Sequence, residues 1–211
     1  MPNSVELHAL QLPGRMRSES NPRITWLTFD EVPALTAMGL LDKPFALFGH
    51  SMGALVMYEL ARKLAQEVGV PPFLLIIAGC RPPTMWAGGL SPPVSELPRE
   101  AFVDHLVQLG GMPAELKDQP ALLDHFLPPI RADYAALECY EPNLQAVPLE
   151  CPIVCLGGTE DRGVARSDLA QWANLTTGEF RLHTFSGGHF FLKDASQEVV
   201  LEYLSGVLVR R

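Results

Sequence analysis

The sequence is poor in positive charge and in long apolar runs, and each shortage excludes a class of protein. Lysine and arginine number 16 against 24 acidic residues, which gives a net charge of −8. Nucleic acids and anionic membranes bind clustered cations, so neither is an expected partner. The longest apolar runs, such as residues 73–78, are far shorter than the roughly 20 residues that cross a bilayer.

Cysteine is also scarce, and its spacing indicates neither disulfides nor a metal site. The four residues are Cys80, Cys139, Cys151 and Cys155. Cys151 and Cys155 bracket an apolar run without a second Cys or His pair, so we expect buried free thiols. The N-terminus is polar and carries no signal-peptide pattern, and no phosphate-binding loop is present. We therefore predict a reduced, cytoplasmic protein that needs no metal and no cofactor.

Apolar residues are plentiful at 47 %, enough for a buried core in 211 residues. Residues 45–48 and 73–78 are continuously apolar, and residues 52–68 between them repeat apolar positions with a helical period. Strands that are apolar on both faces and joined by a helix indicate a parallel sheet covered by helices. The pattern returns later in the chain, with strands predicted at 153–156 and 181–185 and helices at 167–175 and 197–209.

The chain between these two halves has a different character. From about residue 81 to residue 147, Pro and Gly punctuate helical segments, which we predict at 99–109, 121–127 and 129–139. We therefore expect a single α/β domain over residues 1–211, with a helical lid inserted at about 81–147. Ahead of the first half, residues 5–12 predict a short strand, and Thr28 with Glu31 resembles a helix capping box.

A G-x-S-x-G motif, Gly-His-Ser-Met-Gly, occupies residues 49–53 between a predicted strand and a predicted helix. A sharp turn there presents the hydroxyl of Ser51, and the two glycines avoid collisions of a side chain with the strand and the helix. The helix N-terminus adds free N–H groups, of which that of Met52 can donate to an oxyanion. Bare matches to this motif are common, so its strand–turn–helix context carries the prediction of a serine nucleophile.

A serine hydroxyl needs a base, and His189 is the predicted one. It follows Ser-Gly-Gly at the exit of the last predicted strand, at the same end of the sheet as Ser51. The other histidines lie in strand-like runs or in the lid, except His50, which is expected to shape the turn beside the serine. Asp161, in the loop after the preceding strand, is the predicted acid, with Glu160 as the alternative. The order Ser, Asp, His is typical of α/β-hydrolases.

Seven segments that span nearly the whole chain form a specific combination. They are QLPGR at 11–15, LDKPFALFGHSMGA at 41–54, YELAR at 58–62, LGGMP at 109–113, LPPIRADY at 127–134, ECY at 138–140 and GGHFFL at 187–192. This combination resembles the type II thioesterases of non-ribosomal peptide and polyketide synthesis. The resemblance implies an α/β-hydrolase fold, a mainly parallel sheet flanked by helices with a helical lid that gates an acyl channel.

The resemblance also implies a function, a serine thioesterase of antibiotic biosynthesis. Such enzymes remove stalled acyl or aminoacyl groups from the phosphopantetheine arms of carrier-protein domains. Asp161 matches the late position of the family's acid, whereas residues 79–81 are Gly-Cys-Arg where synthase-embedded thioesterases place theirs. We expect a monomer. The alternatives are a medium-chain acyl thioesterase, a carboxylesterase, a non-catalytic protein that docks on a synthase, and an inactive truncated fragment.

One feature of the family is missing ahead of Val5. Family members begin with an additional strand and a Phe-Pro-x-Ala-Gly-Gly loop, which supplies a second oxyanion N–H. From this departure we expect that the chain begins at an internal methionine and lacks its true N-terminus. The loss of one oxyanion donor reduces a rate by about 100- to 1,000-fold.

Overall fold

Four parallel strands form the sheet of the computed structural model, which describes residues 5–9, 39–86, 92–194 and 197–209. Each strand pairs in parallel with the next one in the chain. The four strands predicted from apolar runs are confirmed to within two residues at each end. They are β1 (Ala46–His50), β2 (Leu74–Ala78), β3 (Ile153–Gly158) and β4 (Phe180–Phe185).

The helix predicted over residues 52–68 is confirmed and has two parts. Helix α1 (Met52–Lys63) follows β1 after a single residue and continues as a π-helical turn, Leu64–Val68. The turn ends at Gly69, whose φ of 73° is left-handed and therefore suits glycine. A long helix thus begins directly behind the end of β1, which places its N-terminus next to the G-x-S-x-G turn.

Between β2 and β3 the chain forms a separate compact unit that is helical. This unit comprises Trp86–Glu141, together with the described part of Met1–Leu27. Its main elements are α2 (Arg99–Gln108) and α3 (Pro120–Glu138), and 3₁₀ turns lie at Val94–Glu96 and Ala114–Asp118. In sequence, its Trp86–Glu141 part falls within the helical insertion expected at about 81–147.

The prediction of two helices at 121–127 and 129–139 is wrong, because α3 is continuous. Pro128 and Pro129 lie inside it, although a proline lacks a backbone N–H and costs about 3 kcal/mol in a helix interior. Leu127 is buried directly before the prolines, and Ile130 and Tyr134 pack against the same apolar cluster after them. Burial on both sides of the prolines offsets the local cost, an effect that a sequence pattern does not reveal.

The other compact unit, the sheet unit, comprises the described parts of Thr28–Met85 and Pro142–Arg211, and strands and helices alternate in its second half as in its first. Helix α4 (Arg166–Ala170) follows β3 and leads into a 3₁₀ turn, Gln171–Leu175, so the helix predicted at 167–175 is confirmed with a change of type. After β4 come the short α5 (Phe191–Asp194) and α6 (Gln197–Val209). The bounds of α6 are those predicted.

Both faces of the sheet are covered, which is why β2 is apolar and buried throughout. Leu74, Ile76 and Ala78 share an apolar cluster with Leu204 of α6. The alternate residues point to the opposite face, because side chains alternate along a strand. The side chain of Trp172 is fully buried. Its indole Nε1 donates a hydrogen bond of 2.8 Å to the carbonyl of Cys80, just beyond β2.

The strand predicted over residues 5–12 is wrong where the structure describes it. Residues 5–9 have no regular secondary structure, and Leu7 is 82 % exposed. An alternating pattern specifies a strand only where one face is buried, and residue 7 has no such burial. The rest of that segment, the capping box at Thr28 and Glu31, and residues 11–15 lie outside the described residues.

The described residues form neither a membrane-spanning helix nor a cluster of metal ligands. No helix among them is both long and apolar enough to cross a membrane. Within the same ranges, no group of three His, Cys, Asp or Glu side chains is placed to hold a metal ion. All four cysteines are free thiols, and three are buried as predicted, but Cys139 is exposed because it caps the C-terminus of α3.

Candidate active site

Ser51 occupies the single-residue turn between β1 and α1. Its φ of 54° and ψ of −123° make it the one non-glycine residue with positive φ in the described part of the chain. Its backbone N–H donates to the Ala78 carbonyl at 2.8 Å, which continues the pairing of β1 with β2. Such strained backbone conformations cluster at functional sites, where the surrounding structure holds them. The strained turn predicted from the motif is present.

The two glycines of the motif have different environments. A Cβ atom on Gly49 would lie 2.2 Å from the Gly53 carbonyl oxygen, so only glycine fits beneath the start of α1. The expectation of a similar collision at Gly53 is wrong. A Cβ atom there would meet no atom of the described chain within 4 Å.

Ser51, His189 and Asp161 form one chain of hydrogen bonds. The Ser51 hydroxyl lies 2.9 Å from Nε2 of His189, and Nδ1 of His189 lies 2.8 Å from Oδ2 of Asp161. The three residues follow β1, β4 and β3, whose carboxyl ends meet at one edge of the parallel sheet. Glu160 is exposed and its side chain is not part of this chain. The structure therefore brings together the three predicted residues, and Asp161, not Glu160, is the carboxylate that contacts His189.

The Asp161 carboxylate is almost completely enclosed, with a side chain that is 1 % exposed. Its Oδ1 accepts hydrogen bonds from the backbone N–H groups of Gly163 at 2.8 Å and Val164 at 3.1 Å. Burial acts to raise the pKa of Asp161, but the hydrogen bond and charge of His189, together with those two N–H groups, lower it below its usual value. The group is therefore a carboxylate at neutral pH.

An ionised Asp161 determines which nitrogen of His189 carries the proton. A carboxylate only accepts hydrogen bonds, so Nδ1 of His189 donates to it. In the neutral ring Nε2 is then unprotonated and accepts the hydrogen bond of the Ser51 hydroxyl. This tautomer is the one that can remove the serine proton.

The acid loop and the histidine loop are tied together by backbone contacts that the sequence did not predict. The N–H of Thr159 donates to the Phe185 carbonyl at 2.8 Å, and that of Glu160 donates to the Gly187 carbonyl at 2.9 Å. A Cβ atom on Gly158 would lie 2.1 Å from the Gly188 carbonyl oxygen. Gly158, the second glycine of the Gly-Gly pair at 157–158, is the signal in the sequence for this close approach.

His50, expected only to shape the turn, also contacts the predicted base. Its Nε2 lies 2.8 Å from the main-chain carbonyl oxygen of His189, and the two imidazole rings are 5.1 Å apart. Met52, whose N–H is the predicted oxyanion donor, is the first residue of α1. The oxyanion role of Met52 stays a prediction.

Comparison with known proteins agrees with this geometry. The chain matches the Thioesterase domain family over residues 1–206. It is 34 % identical over 200 residues to the gramicidin S biosynthesis protein GrsT of Aneurinibacillus migulanus, covering 94 % of this chain and 77 % of that protein. The medium-chain S-acyl fatty acid synthase thioesterase of Homo sapiens is 30 % identical, with 94 % of this chain and 75 % of that enzyme covered.

Among solved structures, the chain resembles RedJ, a thioesterase from the prodiginine biosynthetic pathway in Streptomyces coelicolor. The TM-score is 0.71 at 32 % sequence identity, and the match covers 82 % of this chain and 64 % of RedJ. Together with the parallel sheet flanked by helices, this similarity confirms the predicted α/β-hydrolase fold.

Proposed function

The chain belongs to the Thioesterase domain family, a membership from which we propose that it removes acyl and aminoacyl groups from carrier-protein domains of a peptide or polyketide synthase. It is a serine hydrolase of the thioesterase type. The substrate we propose is a thioester on the phosphopantetheine arm of the carrier, so the prosthetic group belongs to the partner. The observation that carries the proposal is the continuous hydrogen-bonded chain from Ser51 through His189 to Asp161.

The first half of the proposed reaction transfers the acyl group to the enzyme. Nε2 of His189 takes the hydroxyl proton of Ser51 while Oγ bonds to the thioester carbonyl carbon. The resulting oxyanion accepts a hydrogen bond from the N–H of Met52 at the N-terminus of α1. The carbon–sulfur bond then breaks, and the protonated imidazole returns its proton to the departing phosphopantetheine sulfur.

The second half releases the acid and restores the enzyme. His189 takes a proton from a water molecule, whose oxygen attacks the ester carbonyl carbon on Ser51. The bond between that carbon and Oγ breaks, and the imidazolium gives its proton back to Oγ. Asp161 stabilises the imidazolium in both halves through its ionised carboxylate. We propose that this cycle needs neither a metal nor a bound cofactor.

All three proposed catalytic side chains come from one chain, so a monomer suffices for the reaction. The free thiols of Cys80, Cys151 and Cys155 support action in a reducing compartment such as the cytoplasm. The match to 77 % of the length of GrsT supports a separate protein that visits its synthase. GrsT is a gramicidin S biosynthesis protein, and the similarity to it supports a peptide-synthase partner.

A second candidate substrate is a medium-chain fatty acyl thioester. Its support is the 30 % identity to the human medium-chain fatty acid synthase thioesterase. Both candidates use the same acyl-transfer chemistry and differ in the acyl chain and in the group that carries it. Substrate comparison therefore distinguishes them.

The deciding experiment is intact-mass spectrometry of carrier domains loaded with acetyl, aminoacyl or octanoyl phosphopantetheine and incubated with the protein. We expect loss of the acetyl and aminoacyl groups faster than of octanoyl, and faster than hydrolysis of the matching acyl-CoA or of simple oxygen esters. Octanoyl as the preferred group would favour the second candidate, and a preference for oxygen esters would contradict both.

Ser51→Ala and Ser167→Ala form a matched pair for this assay. Ser167 is exposed on α4, away from the hydrogen-bonded chain. We expect Ser51→Ala to lose about 10⁶-fold in kcat, as other hydrolases do without their nucleophile, and Ser167→Ala to match wild type. Restoration of a blocked synthase by Ser51→Ala as well as by wild type would show that the protein acts by docking, not by catalysis.

A further inference from the structure

We propose that His50 is a positioning residue, which holds His189 in register with Ser51 by donating a hydrogen bond to the main-chain carbonyl of His189. The proposal rests on the proposed roles of Ser51 and His189. The contact joins Nε2 of His50 to the His189 carbonyl oxygen at 2.8 Å, across 139 positions of sequence. It is separate from the side-chain hydrogen bonds of His189, which go to Ser51 and Asp161.

The chemistry of the two groups determines the direction of this hydrogen bond. A carbonyl oxygen only accepts, so Nε2 of His50 carries a proton. Burial of the ring is the largest effect on its pKa and lowers it, and this outweighs the hydrogen bond to the His189 carbonyl, which acts to raise it. The ring is therefore neutral near pH 7, with its one N–H directed at the carbonyl. A neutral donor also places no second positive charge beside His189 when that ring takes the serine proton.

Packing confines the His50 ring to this orientation. Its centroid lies 5.1 Å from that of His189, 5.5 Å from that of Phe190 and 6.0 Å from that of Phe191. Gly79 is also close to the ring, since a Cβ atom on this residue would lie 3.1 Å from Nε2 of His50. The ring thus lies against the segment that contains the base, with little room to rotate.

His50 is joined by one peptide bond to Ser51, the nucleophile. The same strained turn therefore holds the nucleophile through its backbone and the base through the neighbouring side chain. Without the N–H of His50, the His189 carbonyl loses a partner and the loop is free to shift. A misplacement of about 1 Å between reacting groups costs about 100-fold in rate, so a loss of 10- to 100-fold in kcat is expected.

Two substitutions separate the hydrogen bond from the ring. His50→Gln keeps an N–H donor at about the reach of Nε2, whereas His50→Leu fills space without a donor. His183→Leu is the matched control, because His183 also packs on an aromatic ring, 4.3 Å from Tyr203 between centroids, but lies outside the catalytic chain. Each variant is measured for kcat and KM on a carrier-bound thioester, for the rate of Ser51 modification by a fluorophosphonate, and for Tm.

We expect His50→Leu to lose 10- to 100-fold in kcat and in the phosphonylation rate, with KM within about twofold of wild type. His50→Gln should recover to within about threefold, and His183→Leu should keep both rates whatever its Tm. Unchanged rates in His50→Leu would overturn the proposal. So would a folded His50→Gln as slow as His50→Leu, because the donor would then not be the cause.

A measurement on the unaltered protein covers the case in which the variants do not fold. Nitrogen-15 NMR of the histidine rings should show the proton of His50 on Nε2, hydrogen-bonded and slow to exchange. A proton on Nδ1 alone would overturn the proposal. A wild type that reacts with the fluorophosphonate but hydrolyses no thioester would reject the proposed function, while the phosphonylation rates would still test the role of His50.

Discussion

Asp161 and Glu160 are adjacent carboxylates in one loop, and the structure gives them different surroundings. Asp161 is enclosed and bonded to His189, whereas Glu160 is exposed. We predict that Asp161→Asn lowers kcat by about 10⁴-fold, because an amide can donate to Nδ1 and so favours the wrong tautomer of the base. Glu160→Gln is the matched control and should stay within twofold. Equal losses in the two variants, measured as kcat on a thioester, would contradict the assignment.

The glycines of the G-x-S-x-G motif provide a second matched pair. Gly49→Ala puts a Cβ atom 2.2 Å from a backbone oxygen of α1, so the turn must open and Ser51 must move. We predict loss of most activity and a lower free energy of unfolding in urea. Gly53→Ala meets no described atom and should keep activity and gain up to about 1 kcal/mol, because alanine favours the helix. If Gly53→Ala lost more activity and stability than Gly49→Ala, the motif glycines would act through other contacts.

At the scale of elements, the acid loop after β3 and the histidine loop after β4 pack against each other at Gly158. A Cβ atom there would lie 2.1 Å from the Gly188 carbonyl oxygen, so Gly158→Ala must push the segment that carries His189 away from Asp161. We predict a fall in kcat of about 100-fold, the cost of a displacement near 1 Å. Gly206→Ala in α6 is the control, because a Cβ atom at residue 206 would meet no described atom within 4 Å. Full activity in Gly158→Ala would show that the loop tolerates the shift.

The elements that could be predicted from sequence are those with a local cause. Strands apolar on both faces, the helical period of α1 and the position of Ser51 between them all follow from residue pattern. The roles of His189 and Asp161 could be predicted because loops that follow parallel strands meet at one edge of the sheet. The continuity of α3 through Pro128 and Pro129 could not be predicted, because it depends on burial. The same holds for the contact of His50 with the His189 carbonyl, which joins two distant turns.

At the scale of the whole molecule, two buried groups of the sheet unit make stability depend on pH in the same direction. Burial lowers the pKa of His50, and His189 with two backbone N–H groups outweighs burial to lower that of Asp161. In the unfolded chain these groups take up protons at their ordinary values, about 6.5 for histidine and 3.9 for aspartate. Below each of those values the unfolded chain binds more protons than the folded one, so acid favours unfolding.

We therefore predict that the free energy of unfolding is greatest above about pH 6.5 and falls in two stages on acidification. The first stage begins as unfolded His50 takes up its proton, and the second begins below about pH 4 as Asp161 does. Urea unfolding from pH 8 to pH 3 measures both. His50→Gln should have a shallower first stage, with a remainder from His105, whose pKa burial also lowers. Asp161→Asn should keep the first stage and lose part of the second. If the first stage were equally deep in wild type and His50→Gln, His50 would take up its proton as readily in the folded protein as in the unfolded chain. That outcome would contradict the prediction, because burial should make the folded imidazole harder to protonate.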